Sequence, residues 1–134
     1  INERIKNNLP FDLGKNKVHP LDIKLLEDIK RIVSENYTNP DFDSNLFSKK
    51  MYMNRSQFFK KMKALTNQTP TEYLREYRMY KAAEYLVKDK IPISEVNYKV
   101  GISSRSYFTK CFKESYGKSP SEFLKKKNLS TSFM

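Results

Sequence analysis

Residues 54–74 read NRSQFFKKMKALTNQTPTEYL, and residues 104–124 read SRSYFTKCFKESYGKSPSEFL. The two segments align without a gap. Arg55 recurs as Arg105, Ser56 as Ser106, Phe58 as Phe108, Lys60 as Lys110 and Lys63 as Lys113. Pro70, Glu72 and Leu74 recur as Pro120, Glu122 and Leu124. This duplication limits the fold more than any other feature. Two copies are too few for a solenoid, which needs at least three stacked repeats. The chain must instead hold two similar units on one scaffold.

The local pattern makes each unit helical. From Pro20, LDIKLLEDIKRIVSENY places Ile23, Leu26, Ile29, Ile32 and Val33 at helical spacing, and Asn39–Pro40 is expected to end that helix. A short helix is predicted over about Ser44–Met51, with Leu46, Phe47 and Met51 apolar, followed by a tight turn at Tyr52 and Met53. Asn54 is a fitting N-cap for a helix running to about Thr66, whose buried face would be Phe58, Met62 and Leu65. Thr69 and Pro70 open a longer helix to about Asp89, with Glu72 in its electropositive first turn. The pattern then recurs. A short helix covers about Pro92–Val100, Gly101 turns, and Ser103 or Ser104 caps a second basic helix to Tyr116. Gly117 ends that helix, and Ser119–Pro120 open a last one.

No strand pattern competes. The expectation is an all-α chain of about seven helices: two helix-turn-helix units joined by one long connecting helix. Residues 1–19 read as a linker or the end of an upstream element, and 129–134 as a flexible tail. Between them lies one domain, 20–128, with a first unit near 41–69, a connector near 70–89 and a second unit near 92–126. The chain begins at Ile1 and is expected to be a piece of something longer.

Charge suggests what the duplication is for. The net charge is +11, which favours a polyanionic partner, nucleic acid first and an anionic membrane surface second. The charge is also concentrated. Lys49, Lys50, Arg55, Lys60, Lys61 and Lys63 occur between residues 48 and 65 without an acid among them. Lys99, Arg105, Lys110, Lys113 and Lys118 are accompanied only by Glu114. In a helix-turn-helix the second helix enters the major groove, packing on one face and reaching bases and phosphates with the other. Both repeated segments divide their residues that way. The major groove returns to one face of the duplex every ~34 Å. A connecting helix over Pro70–Asp89 would span roughly 25–30 Å, which suits two recognition helices in successive groove turns.

From about Asp41 to Lys126 the chain resembles the C-terminal DNA-binding domain of AraC/XylS transcription regulators. The resemblance is carried by NRSQFFKKMKALTNQTPTEYL, by RMYKAAEYL and by ISEVNYKVGISSRSYFTKCFKESYGKSPSEF. Residues of the last segment that meet the family pattern include Ile93, Glu95, Val100, Gly101, Tyr107, Phe112, Gly117 and Pro120. The chain departs from the pattern at Tyr52 and Asn67, where the family usually has Gly, at Asn97, where it has Ala, and at Ile102, where it has Phe. NRSQFFKKMKALTNQTP is similar to the first unit of hybrid two-component regulators of Bacteroidetes, and RIKNNL resembles the end of a receiver domain. The resemblance implies a bacterial, cytoplasmic output domain of a sensor, an activator that binds double-stranded DNA and contacts RNA polymerase. The fragment itself is expected to be monomeric and off the membrane, with dimerisation left to upstream parts.

By resemblance, base contacts fall to Ser56, Phe59 and Lys60 in the first unit and to Arg105, Ser106, Thr109 and Lys110 in the second. Arg105 can bond bidentately to guanine or grip a phosphate, and Lys60 and Lys110 have the same two options. Phe59 can touch a thymine methyl or simply pack. Phosphate contacts are expected from Lys49, Lys50, Asn54, Arg55, Lys61, Lys63, Ser104, Lys113 and Lys118. Phe58, Met62, Phe108 and Phe112 read as core, Arg78 as a structural ion-pair or capping residue, and Tyr73, Tyr77 and Tyr80 as packing.

Nothing in the sequence points to catalysis, a cofactor or a metal. His19 is the only histidine, Cys111 the only cysteine, and no glycine-rich phosphate loop is present. The competing function is a module that binds anionic polymers through charge alone. Such a module needs no capped, turn-separated duplication.

Overall fold

The computed structural model describes residues 19–125. Helix α1 spans Pro20–Asn36, α2 Ser44–Lys50, α3 Arg55–Thr66 and α4 Pro70–Val87. Helix α5 spans Ile93–Lys99, α6 Arg105–Tyr116, and α7 covers residues 120–125. Among the described residues there is no strand. The architecture is the one expected: α2–α3 and α5–α6 are two helix-turn-helix units, and α4 packs on both.

The helix starts are fixed by their caps. The Asn54 side chain accepts from the Gln57 amide at 2.8 Å, and Gln57 Oε1 accepts from the Asn54 amide at 3.4 Å. Thr69 and Glu72 repeat this reciprocal arrangement at 3.1 and 2.9 Å, with Pro70 at the first helical position. Ser104, not Ser103, caps α6, accepting from the Tyr107 amide at 3.2 Å. His19, expected in the linker, is the N-cap of α1, its Nδ1 accepting from the Leu21 amide at 3.1 Å. Asn67 and Gly117 end α3 and α6 in left-handed conformations, at φ 61° and 76°.

Two helix ends fall short of the sequence expectation. Helix α1 stops at Asn36, because Asn36 Nδ2 donates to the Ile32 carbonyl at 2.7 Å and Asn39 already belongs to the next turn. Helix α4 stops at Val87, and the chain reverses through Lys90 at φ 53°. Two core assignments also change. Ile23 is exposed, and on α3 Thr66 is buried where Leu65 is only half-buried.

The core has an aromatic cluster in each unit. Phe47 packs edge-on against Phe58 at 4.7 Å and beside Phe42 at 5.4 Å. Phe112 contacts Phe108, Tyr116 and Phe123 at 5.8, 4.7 and 5.3 Å. Between them α4 buries Tyr73, Leu74, Met79, Ala82 and Leu86. Tyr77 is half-buried and Tyr80 exposed, so the expected tyrosine packing is complete only at Tyr73.

The gap-free repeat holds from the recognition helices onward and breaks in the turns before them. Tyr52 donates to the Lys49 carbonyl and Met53 to Ser48, as Gly101 donates to Tyr98 and Ile102 to Asn97. The turns therefore match Tyr52 with Gly101, both left-handed at φ 59° and 79°. Ser103 is an extra residue in the second turn. Asn97, fully buried, closes that turn: its Nδ2 donates to the Ile102 carbonyl at 2.8 Å. Arg78 acts as a cap rather than an ion pair. Its Nε donates to the Tyr37 carbonyl at 3.0 Å, and its Nη2 to Asn39 and Phe42 at 2.9 and 3.3 Å.

Candidate nucleic-acid interface

A helix N-terminus carries partial positive charge and favours acids, by about 0.3–1 kcal/mol each. Helices α1, α4 and α5 obey this with Asp22, Glu72 and Glu95 in their first turns, and α2 is capped by Asp43. Helices α3 and α6 do the opposite. They open on Arg55 and Arg105 and have no acid in the first turn. The same local preference is broken twice, at the same position. Charge placed against helix stability serves something outside the helix.

On α3 the exposed face holds Arg55, Ser56, Phe59, Lys60 and Lys63, with the cap Asn54 beside them. Phe58 and Met62 face inward, 1% and 0% exposed. Lys49 and Lys50 are exposed in the last turn of α2, ahead of α3. Lys63 also serves its own helix, donating to the Asn67 carbonyl at 3.2 Å. Lys61 has a partner that the sequence did not indicate. Its ammonium pairs with Asp22 of α1 at 3.1 Å, so it is engaged within the protein. Arg55, Ser56 and Phe59 line a cavity of about 440 Å³ with Thr69, Pro70 and Thr71 at the start of α4.

On α6 Ser104, Arg105, Ser106, Lys110 and Lys113 are exposed, while Phe108, Cys111 and Phe112 are buried. Arg105 leans back toward α5, its Nη2 donating to the Ser94 carbonyl at 3.3 Å. Ser104 and Ser106 share a hydroxyl hydrogen bond at 3.1 Å. Thr109 is half-buried and donates its hydroxyl to the Arg105 carbonyl at 3.0 Å. Lys118 is half-buried past the end of α6. No described carboxylate forms an ion pair with Lys49, Lys50, Arg55, Lys60, Arg105, Lys110 or Lys113.

Sequence reasoning passed over two side chains near this surface. Tyr107, 48% exposed on the first turn of α6, has its pKa raised chiefly by a hydrogen bond with the Cys111 thiol and by burial, against the opposing effect of Arg75. Asp22 holds Lys61, a pairing between helices that no spacing rule reveals. Among the described residues no group of His, Cys, Asp or Glu is arranged to hold a metal ion. No described helix is long and apolar enough to cross a membrane.

Comparison with known proteins agrees with this geometry. The family profile described as a helix-turn-helix domain matches residues 47–126. The chain is 39% identical over 106 residues to histidine kinase P4 of Formosa agariphila, which covers 79% of this chain and 8% of that protein. It is 34% identical over 97 residues to the Msm operon regulatory protein of Streptococcus mutans, covering 72% of this chain and 34% of that one. The chain thus spans a minor part of the length of these relatives. Among solved structures it is similar to the C-terminal domain of the two-component response regulator YesN of Fusobacterium nucleatum. That match has a TM-score of 0.69 and 26% identity, over 73% of this chain and 95% of that one. The DNA-binding domain of AdpA, solved with a target DNA, has the same fold, with a TM-score of 0.68 and 24% identity over 75% of this chain and 88% of its own. The two units, their shared scaffold helix and these matches place the chain in the AraC-type helix-turn-helix family, as a DNA-binding domain of transcription regulators.

Proposed function

We propose that residues 20–128 bind double-stranded DNA sequence-specifically, with α3 and α6 in successive major-groove turns on one face of the duplex. The observation that carries this reading is the pair of arginine-led helix starts. Both lie on helices whose opposite faces are core, and α4, about 27 Å long at 18 residues, stands between the units. Base edges fall to Ser56, Phe59 and Lys60 in one half-site and to Arg105, Ser106, Thr109 and Lys110 in the other. Phosphates fall to Lys49, Lys50, Asn54, Arg55, Lys63, Ser104, Lys113 and Lys118, and to Lys61 once it leaves Asp22. Arg105 reaches a guanine by exchanging the Ser94 carbonyl for the base, at small cost because that contact is long and exposed.

The likeness to parts of a histidine kinase and of a response regulator supports a role as a cytoplasmic output domain in two-component signalling. The expected linker and tail, residues 1–18 and 126–134, lie outside the described residues, and RNA polymerase would be a second partner. In this reading the domain is a monomer and keeps clear of the membrane, and full-length copies pair through other segments.

Selection of bound duplexes from a random library at ~150 mM salt tests the reading, because screening suppresses binding by charge alone. Two short motifs about one helical turn apart are expected. Enrichment without any motif would instead support an anionic-polymer binder.

A further inference from the structure

Phe59 and Thr109 occupy the same place in the two recognition helices. Phe59 lies four residues after Arg55 and Thr109 four after Arg105, so each shares a face with the arginine that opens its helix. Each is followed by a lysine, Lys60 or Lys110. Phe59 is 49% exposed, although its neighbour Phe58 is core, and it takes no part in the Phe42–Phe47–Phe58 cluster. Thr109 spends its hydroxyl on the Arg105 carbonyl. With that oxygen bonded to the backbone, the methyl is the remaining group of this half-buried side chain and has no polar role. At one common register, then, both helices present an apolar group flanked by cations.

We propose that Phe59 and Thr109 each read the C5-methyl group of a thymine in the major groove, so that the two half-sites carry thymine at corresponding positions. The proposal rests on the DNA-binding reading above and deepens it. Thymine is the only base that shows a methyl group in that groove, and apolar side chains are its complement. The polar neighbours cannot supply this contact, because Ser56, Lys60, Ser106 and Lys110 offer hydrogen bonds and charge.

Deoxyuridine pairs with adenine as thymidine does and lacks only the methyl. The test takes the tightest duplex from the library selection and replaces its thymidines one at a time by deoxyuridine. The whole chain is then titrated by fluorescence anisotropy at ~150 mM salt. One replacement in each half-site, the two about one helical turn apart, is expected to weaken binding about fourfold, the effect of losing one buried methyl-sized group. Thr109→Ser keeps the hydroxyl and its backbone bond but lacks the methyl. It should make thymidine and deoxyuridine equivalent in the second half-site while leaving the first half-site sensitive. Phe59→Ala should do the reverse. The sensitivity that persists in the untouched half-site shows that each variant is folded and bound. A selected motif bound equally well with either base, or deoxyuridine penalties that survive both substitutions, overturns the proposal and leaves DNA binding intact with a polar readout. Failure to select any motif overturns both.

Discussion

Gly101 packs against the carbonyl oxygen of Tyr37 so closely that a β-carbon at position 101 would overlap it. The same oxygen accepts from Arg78 Nε at 3.0 Å. One carbonyl at the end of α1 thus meets the scaffold helix α4 and the turn of the second unit. Gly101→Ala should destabilise the domain by roughly 2–4 kcal/mol, combining a left-handed φ of 79° with a backbone clash. Gly117 is the control. It has a similar φ of 76° but nothing near an added β-carbon, so Gly117→Ala should cost only about 1–2 kcal/mol. Urea unfolding of both variants, with the slope unchanged, checks the difference.

Arg78 gathers three carbonyls from the α1–α2 loop that have no helix to bond them. Arg78→Ala should lower stability by roughly 1–3 kcal/mol, because the part-buried Tyr37 and Phe42 carbonyls lose their side-chain donor, while the exposed Asn39 carbonyl keeps the Phe42 amide. Arg78→Lys should recover little of it, since an ammonium cannot reproduce the flat fork that spans the three oxygens. Thermal unfolding of the two variants would show their melting temperatures close together and well below that of the parent chain.

Tyr52 sits left-handed at φ 59° with its side chain 96% exposed. A residue with a β-carbon pays about 1–2 kcal/mol for that conformation, and here almost no packing offsets it. Tyr52→Gly should therefore stabilise the domain by up to about 1 kcal/mol, after allowing for the greater chain entropy of unfolded glycine. Denaturant midpoints measure this directly. A loss of stability would mean that the ring packs in solution.

Asp22 holds Lys61 back from the basic face of α3. Asp22→Asn should release that ammonium, raise DNA affinity and steepen the dependence of log K on log salt by about 0.9, one extra phosphate contact. Lys61→Ala in the Asp22→Asn background should return the slope to its parent value. Salt titrations of the three proteins on one duplex decide it.

Of the nine tyrosines, Tyr37, Tyr73 and Tyr116 have the largest upward pKa shifts. Burial raises the pKa of Tyr37, with the Tyr85 hydrogen bond adding to it, and burial likewise raises Tyr73 and Tyr116. Their folded-state pKa values exceed the unfolded value of about 10. The stability they contribute is therefore complete below pH ~10 and is lost as pH climbs toward the raised values. Tyrosinate absorbance should show Tyr37, Tyr73 and Tyr116 ionising only as the helical circular dichroism signal falls.

The helix starts and the exposed basic faces were legible because their signals are local. Asn54, Thr69 and Ser104 announce helix starts through hydrogen bonds three residues long, and the exposed positions of α3 follow from which residues must be core. The pairing of Lys61 was not legible, for the converse reason. Its partner Asp22 lies on another helix, far away in sequence. Arg105 was read as free to reach a base, whereas its contact with Ser94 depends on how α5 folds back over α6. Asn97 in place of a small apolar residue looked foreign to a packed turn, but its amide supplies the hydrogen bond that closes the turn.

The sequence by itself determined the helices, their caps, the duplication and the two cationic faces, since helix propensity, capping and charge act within a few residues. The tertiary structure alone decided which of those charges stay available, how the two turns differ by one residue, and why Gly101 cannot be anything else. Each of these depends on a group brought from a distant part of the chain, such as the Tyr37 carbonyl against Gly101 or Asp22 against Lys61. Contacts of that kind exist only once α1 and α4 have packed, because the cost of bringing such distant groups together is met by the buried core between them.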